Sequence, residues 1–167
     1  FLATLAVLVV AGCADVDPQT PKQTFGSDLE FLQRHCEVVV LTDRSGKGQV
    51  AVIPEMQGRV MTSTAGGVDG VSFGWINQEL IASGEFVEHF NAFGGEDRFW
   101  IGPEGGQFSI FFEKGVPFDL EHWQTPAAID TEPFELAFKS SQSAIFRKTM
   151  QLKNYSGTVF DLKVDRE

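Results

Sequence analysis

Thirteen residues, Gly94-Gly95-Glu96-Asp97-Arg98-Phe99-Trp100-Ile101-Gly102-Pro103-Glu104-Gly105-Gly106, gather three carboxylates, one arginine and two aromatic rings between glycine pairs. A reversing turn needs Gly, Asn or Pro for its backbone angles. It has no use for Arg-x-Trp followed by Gly-Pro-Glu, so the recognition chemistry here exceeds what a loop requires. Trp100 and, further on, Trp123 carry flat apolar rings of the kind that stack on the C–H face of a pyranose. Arg98, Glu104 and His122 carry the donors and acceptors that vicinal hydroxyls need, with Glu96 and Asp97 beside them. On a strand, Arg98 and Trp100 project to one side and Phe99 and Ile101 to the other, which predicts a shared Arg98/Trp100 surface on a β-hairpin.

Each of these residues also has a purely architectural reading. Trp100 fits a sandwich core, and Arg98 fits an internal ion pair with Glu96, Asp97 or Glu104. His122 lies in Asp119-Leu120-Glu121-His122-Trp123. Two neighbouring carboxylates there would suit it to proton transfer, whereas a structural histidine would donate to a backbone carbonyl. Glu96, Asp97, Glu104, Asp119 and Glu121 supply hard oxygen ligands for a calcium ion, although no EF-hand spacing is present. No other cofactor is expected. Glu88-His89-Phe90-Asn91 is a further polar patch to which the sequence assigns no role.

The elements that must position these groups read as short. Ser27-x-x-Glu30 has the form of a capping box opening a helix from 28 to about 35, with Leu29, Leu32 and Cys36 on one face. Asn77 and Gly84 bracket a second short helix. β-like runs are expected at 37–42, 49–54, 59–64, 98–102 and 107–113, joined by glycine-rich turns such as Arg44-Ser45-Gly46-Lys47-Gly48. Ala144, Phe146, Met150 and Leu152 share one face of a further strand. Arg147, Thr149, Gln151 and Lys153 share the other, and Lys148 is the exception on the apolar side. Asn154-Tyr155-Ser156-Gly157 turns that strand into one carrying Phe160, Leu162 and Val164, an antiparallel hairpin with one buried face. Long amphipathic helices are missing, so the pattern predicts a mainly β, antiparallel sandwich with one or two short helices.

Composition narrows the function classes. The chain has 167 residues, 43% hydrophobic, with a net charge of −10. No basic run exceeds Arg147-Lys148, which excludes a nucleic-acid binder relying on clustered cations. Residues 1–12 are uncharged and too short to span a bilayer, and they read as the h-region of a secretion signal whose basic start is expected upstream of Phe1. Val10-Ala11-Gly12-Cys13 resembles the bacterial lipobox, which makes Cys13 the expected site of lipidation and places the protein in the cell envelope, facing the periplasm or the exterior. Residues 13–24 then form a polar, proline-containing tether, and 25–167 the folded domain. With Cys13 lipidated, Cys36 is left as a buried, inert thiol. The alternating residues from Phe160 to Glu167 read as a strand that has not finished, so the domain is expected to be incomplete at its carboxyl end.

Val52-Ile53-Pro54-Glu55-Met56-Gln57-Gly58-Arg59-Val60-Met61-Thr62-Ser63 resembles the opening of galactose-mutarotase-like (aldose 1-epimerase-like) domains, with a strand, a Gly-Arg-hydrophobic step and a second strand. The stretch from Gly94 to Glu104 resembles the Gly-Gly-x-Arg-x-Trp-x-x-Pro-Glu segment of bacterial members of that superfamily whose function is unknown. With His122-Trp123-Gln124-Thr125-Pro126 and the closing hairpin, the resemblance runs from about Val38 to the end. It implies the amino-terminal part of a β-supersandwich that handles carbohydrate. Mutarotases use a glutamate base and a histidine acid. The resemblance puts the glutamate beyond Glu167 and leaves His122 as the candidate acid. Mutarotases also carry Asn-Arg where this chain has Asp97-Arg98. Three functions stay open: a lipid-anchored carbohydrate-binding domain without catalysis, an epimerase-type enzyme, and a structural envelope lipoprotein in which the motif aromatics are core.

Overall fold

The structure, a computed structural model, describes residues 23–167. The expected signal segment, Cys13 and most of the tether therefore lie outside the described residues. Among the described residues no helix is long and apolar enough to cross a membrane.

The chain opens with helix α1, Phe25–His35. Its cap lies earlier than the Ser27-x-x-Glu30 pattern suggests. Thr24 is the N-cap, its Oγ1 accepting from the Ser27 amide at 3.2 Å while Ser27 Oγ accepts from the Thr24 amide at 3.0 Å. Ser27 thus takes the third helical position, where Glu or Gln usually sits, because a short hydroxyl also reaches back to the cap amide. Strands β1 (Val39–Thr42), β2 (Gln49–Ile53) and β3 (Arg59–Thr64) form one antiparallel sheet in sequential order. A bulge between Ala51 and Val52 shifts the β2–β3 register.

The turn from β2 into β3 is made by Pro54–Met56 in a short 3-10 turn, followed by Gln57 and Gly58 at φ of 62° and 63°. Gln57 tolerates this left-handed backbone because its fully buried side chain donates to Glu132 O at 3.0 Å and accepts from Arg59. Gly58 is required for a second reason. A Cβ there would sit 2.8 Å from the Phe146 ring.

Helix α2, Gln78–Ser83, has the expected Asn77 cap and a left-handed Gly84 at its end. A long irregular stretch follows, containing a 3-10 turn at Leu120–His122 and helix α3, Ala127–Asp130. The second antiparallel sheet is built from β4 (Glu135–Lys139), β5 (Ala144–Lys153) and β6 (Val159–Arg166). The β5–β6 hairpin matches the alternation, with Met150 opposite Leu162 and Leu152 opposite Phe160. Lys148 is tolerated on the buried face because its ammonium lies 2.6 Å from Glu132 Oε2.

Two hydrophobic clusters hold these parts together. One packs Phe25, Phe31 and Leu32 of α1 on Ala51, Ile53 and Met61 of the first sheet. The other joins Val39 and Val52, on the opposite face of that sheet, to Phe146, Met150 and Leu152 of the second, with Phe111, Ile129 and Phe134 between. The domain is therefore mainly β, with two antiparallel sheets sharing a core and one helix covering the outer face of the first.

Candidate functional site

The stretch from Gly94 to Gly106 is not a hairpin. Neither 98–102 nor 107–113 forms a strand. Gly94 and Gly95 adopt φ of 94° and 105°, Gly94 forms an isolated antiparallel bridge to Ile76, and after them the segment is held by single backbone and side-chain bonds rather than by a continuous ladder. The Glu96 amide donates to Val60 O at 2.9 Å, and the Val60 amide donates to Asp97 Oδ1 at 2.9 Å. Asp97 also pairs with Arg166 of β6, and Glu96 Oε2 accepts from Ser63 Oγ at 2.9 Å.

Arg59 templates the glycine pair. It is buried and donates from Nη1 to Gly94 O at 2.9 Å, while its aliphatic stem fills the space that a Cβ on Gly95 would need. Its Nε has no partner. Burial, and then the nearby charge of Arg98, pull its pKa down to about 10, so it stays cationic at neutral pH.

Arg98 has an internal partner, but not one of the three carboxylates near it in sequence. Its Nη2 lies 2.6 Å from Oδ1 of Asp130, at the end of α3. Asp130 also accepts from the Asn91 amide at 3.3 Å and from Asn91 Nδ2 at 2.8 Å. Asn91 in turn clamps its own loop, accepting from the Val87 amide at 2.8 Å. Arg98, Asp130 and Asn91 thus form a buried polar network that locks three segments together. Burial lowers the Arg98 pKa, and the Asp130 carboxylate acts against that.

Above this lock stands an aromatic column. The Arg98 guanidinium lies 4.4 Å from the Phe90 ring centre and 4.3 Å from that of Trp100. Arg98 and Trp100 do meet, as strand alternation predicts, although through cation–π contact in an irregular segment. Trp100 stacks on Phe111 at 4.9 Å, and Phe111 stacks on Trp123 at 4.6 Å with 22° between planes. The indole nitrogens are spoken for, with Trp100 Nε1 donating to Glu104 Oε1 at 3.0 Å and Trp123 Nε1 donating to Thr125 Oγ1 at 2.9 Å.

His122 is half-exposed, with Nδ1 lying 2.5 Å from Asp119 Oδ1. The partner is thus the carboxylate that also caps the 3-10 turn, and the contact with His122 holds Asp119 below the ordinary carboxylate range. His89 joins the same region unforeseen. It adopts φ of 68°, and its Nδ1 lies 2.6 Å from Trp123 O.

Four of the five carboxylates considered for calcium are engaged separately, Glu96 on Ser63, Asp97 on Arg166, Glu104 on Trp100 and Asp119 on His122, and Glu121 lies in the exposed 3-10 turn. Among the described residues no group of three or more His, Cys, Asp or Glu side chains is placed to hold a metal ion.

Beside the column opens a cavity of about 360 Å³, lined by Phe111, Glu113, Lys114, Gln124 and Lys153 among others. Its volume falls within the range of small-ligand sites, roughly 300–1,000 Å³. Its wall combines an apolar base with an amide, a carboxylate and two ammonium groups. Sequence reading missed Gln124, Glu113 and Lys153 because they meet only when the end of β5 is folded against the loop before α3.

These features define a mainly β domain whose two sheets carry a buried arginine lock, an aromatic column and an adjoining polar cavity. Residues 23–167 match the family of unknown function DUF6786, and the chain belongs to that family. No curated protein matches the chain. No solved structure matches it either.

Proposed function

We propose that this is an exported, lipid-anchored protein whose domain binds carbohydrate and shares the galactose-mutarotase-like supersandwich architecture. The observation that carries this reading is the cavity at the Trp123 end of the aromatic column. A largely buried apolar wall at Ile110, Phe111 and Phe112 beside the Gln124 amide, the Glu113 carboxylate and the Lys114 and Lys153 ammonium groups supports a polyhydroxylated ligand, which presents C–H faces and hydroxyl edges together. The column and the lock below it keep this wall in place without ligand, so little ordering entropy is lost on binding. Titration calorimetry of the full chain against a broad glycan panel tests the proposal. Saturable binding weakened at least tenfold by Gln124→Ala supports it, and absence of heat across the panel refutes it.

A second reading, an epimerase-type isomerase, is favoured by the half-exposed His122–Asp119 pair, which has the form of a proton donor oriented by a carboxylate. Polarimetry on freshly dissolved aldoses tests it. An acceleration of mutarotation abolished by His122→Ala is the expected signature, and an unchanged rate removes the enzyme reading.

A further inference from the structure

We propose that the segment from Val71 to Trp75 rests on the bilayer that holds the anchor, its outward side chains dipping into the boundary between headgroups and acyl chains. The segment lies against the edge of β3, where the Phe73 amide donates to Ser63 O at 3.1 Å and the Gly74 amide to Thr62 Oγ1 at 3.1 Å. Its polarity is inverted. Ser72, Gly74 and Ile76 are the more buried positions, while Val71, Phe73 and Trp75 are 46%, 61% and 64% exposed. Val68, just before them, is 51% exposed as well. The solvated side of a sheet edge ordinarily carries polar groups, so large apolar side chains at alternate positions there mark a surface that something covers.

The outward groups are held out. Ser72 Oγ donates to the buried carboxylate of Asp28 and lies 2.5 Å from Thr62 Oγ1. The amides of Phe25 and Gly26, at the start of α1, donate to Gly70 O at 3.0 Å and Val68 O at 2.7 Å. With the segment strapped to both α1 and β3, little ordering entropy is lost when its outer face meets a partner.

The same bonds select the partner. Thr24 pairs with Val71 as an isolated antiparallel bridge, and Gln23 Nε2 donates to Asp28 Oδ1 at 2.9 Å, so the apolar face surrounds the point where the chain leaves the domain toward Cys13. Gln23 follows Cys13 by ten positions, a span of about 35 Å at full extension. A lipid on Cys13 therefore keeps this end of the domain beside the bilayer, at an effective concentration where even a weak apolar contact forms. Tryptophan and other amphipathic rings favour that interface. Residues 60–78 contain no Lys or Arg and one carboxylate, Asp69, so the contact is made by apolar side chains and not by attraction to anionic headgroups. The bilayer as occupant rests on the lipid anchor of the proposed function, and the carbohydrate reading plays no part in it.

The test uses the full protein, purified with any acyl group it carries and reconstituted in phosphatidylethanolamine–phosphatidylglycerol vesicles containing a lipid brominated near the top of its acyl chains. Mass spectrometry first establishes whether Cys13 is acylated. Bromine quenches indole emission only on close approach. Quenching is expected, equal at low and high salt, and at least threefold weaker in Trp75→Phe, where only the half-buried Trp100 and Trp123 remain. Val71→Ser/Phe73→Ser should weaken the quenching of Trp75 at least twofold. Both residues are exposed, and circular dichroism verifies that the fold is intact. Acylated protein that shows no quenching, or the same quenching in Trp75→Phe, overturns the resting face and leaves the anchor standing. Cys13 without an acyl group overturns both. A blue shift of Trp75 emission that grows with protein concentration, without response to the brominated lipid, marks a contact between copies and also overturns the proposal.

Discussion

Arg98 reaches Asp130, a residue 32 positions away, with Nη2 2.6 Å from Oδ1. This contact ties the motif that stands out most in the sequence to the end of α3, whose chemistry the sequence does not advertise. The pair is largely removed from water, with side-chain exposures of 17% and 5%. Asp130→Ala leaves a buried guanidinium and the Asn91 amide unpaired, and should cost about 3–5 kcal/mol in urea unfolding. The double variant Arg98→Met/Asp130→Leu should recover only the part of that loss due to the stranded charge, since the buried Asn91 amide still lacks its acceptor.

Phe111 is the middle ring of the column and fully buried. Phe111→Ala should destabilise by about 3–5 kcal/mol through the cavity left between the two indoles. The tryptophan emission should shift to the red, because Trp100 and Trp123 both lose the ring they stack on.

Gly58 combines φ of 63° with the Phe146 ring at 2.8 Å from the position of a Cβ. Gly58→Ala should therefore cost roughly 1–2 kcal/mol for the left-handed backbone, plus roughly 1–3 for overpacking. Gly46→Ala is the control. Gly46 has a similar φ of 75° with open space around it, so only the backbone part should appear. Thermal unfolding of the two variants separates the contributions.

Cys36 is a free thiol whose pKa is raised from 9.0 to about 11, first by burial and then by the Glu55 charge. It should react slowly with iodoacetamide at neutral pH, because the thiolate is the nucleophile. The sign of its effect on stability follows from linkage. Below pH 9 both states hold the proton and stability is unaffected, while between 9 and about 11 the unfolded chain loses it first and the fold weakens. Cys36→Ala should flatten the decline in unfolding free energy across that window.

The local elements were the most legible part of the sequence. The β5–β6 hairpin and α2 carry their own evidence, alternation with a turn in one case and an Asn cap with a terminal Gly in the other. β4 was missed because Glu135–Lys139 shows no buried alternation, with four of its five residues exposed. The runs 98–102 and 107–113 look like strands in composition yet have no ladder partner, because Asp97, Arg98 and Ser109 bind backbone and side chains instead. The pairing of Arg98 was misjudged for a related reason. Chain proximity nominated Glu96, Asp97 and Glu104, and the partner came from elsewhere.

The sequence by itself determined that the domain is mainly β with a few short helices. Hydrophobic period, turn residues and net charge are local or additive properties, readable without knowing what is near what. Only the tertiary structure decided that Arg98 is spent on Asp130, that Trp100 and Trp123 are joined through Phe111, and that Gln124 meets Lys153 at a cavity while Phe73 stands exposed on the segment bridged to Thr24. Each of those depends on contacts between residues distant in the chain. Such contacts are set by how the sheets and the irregular segment pack, which no local pattern encodes.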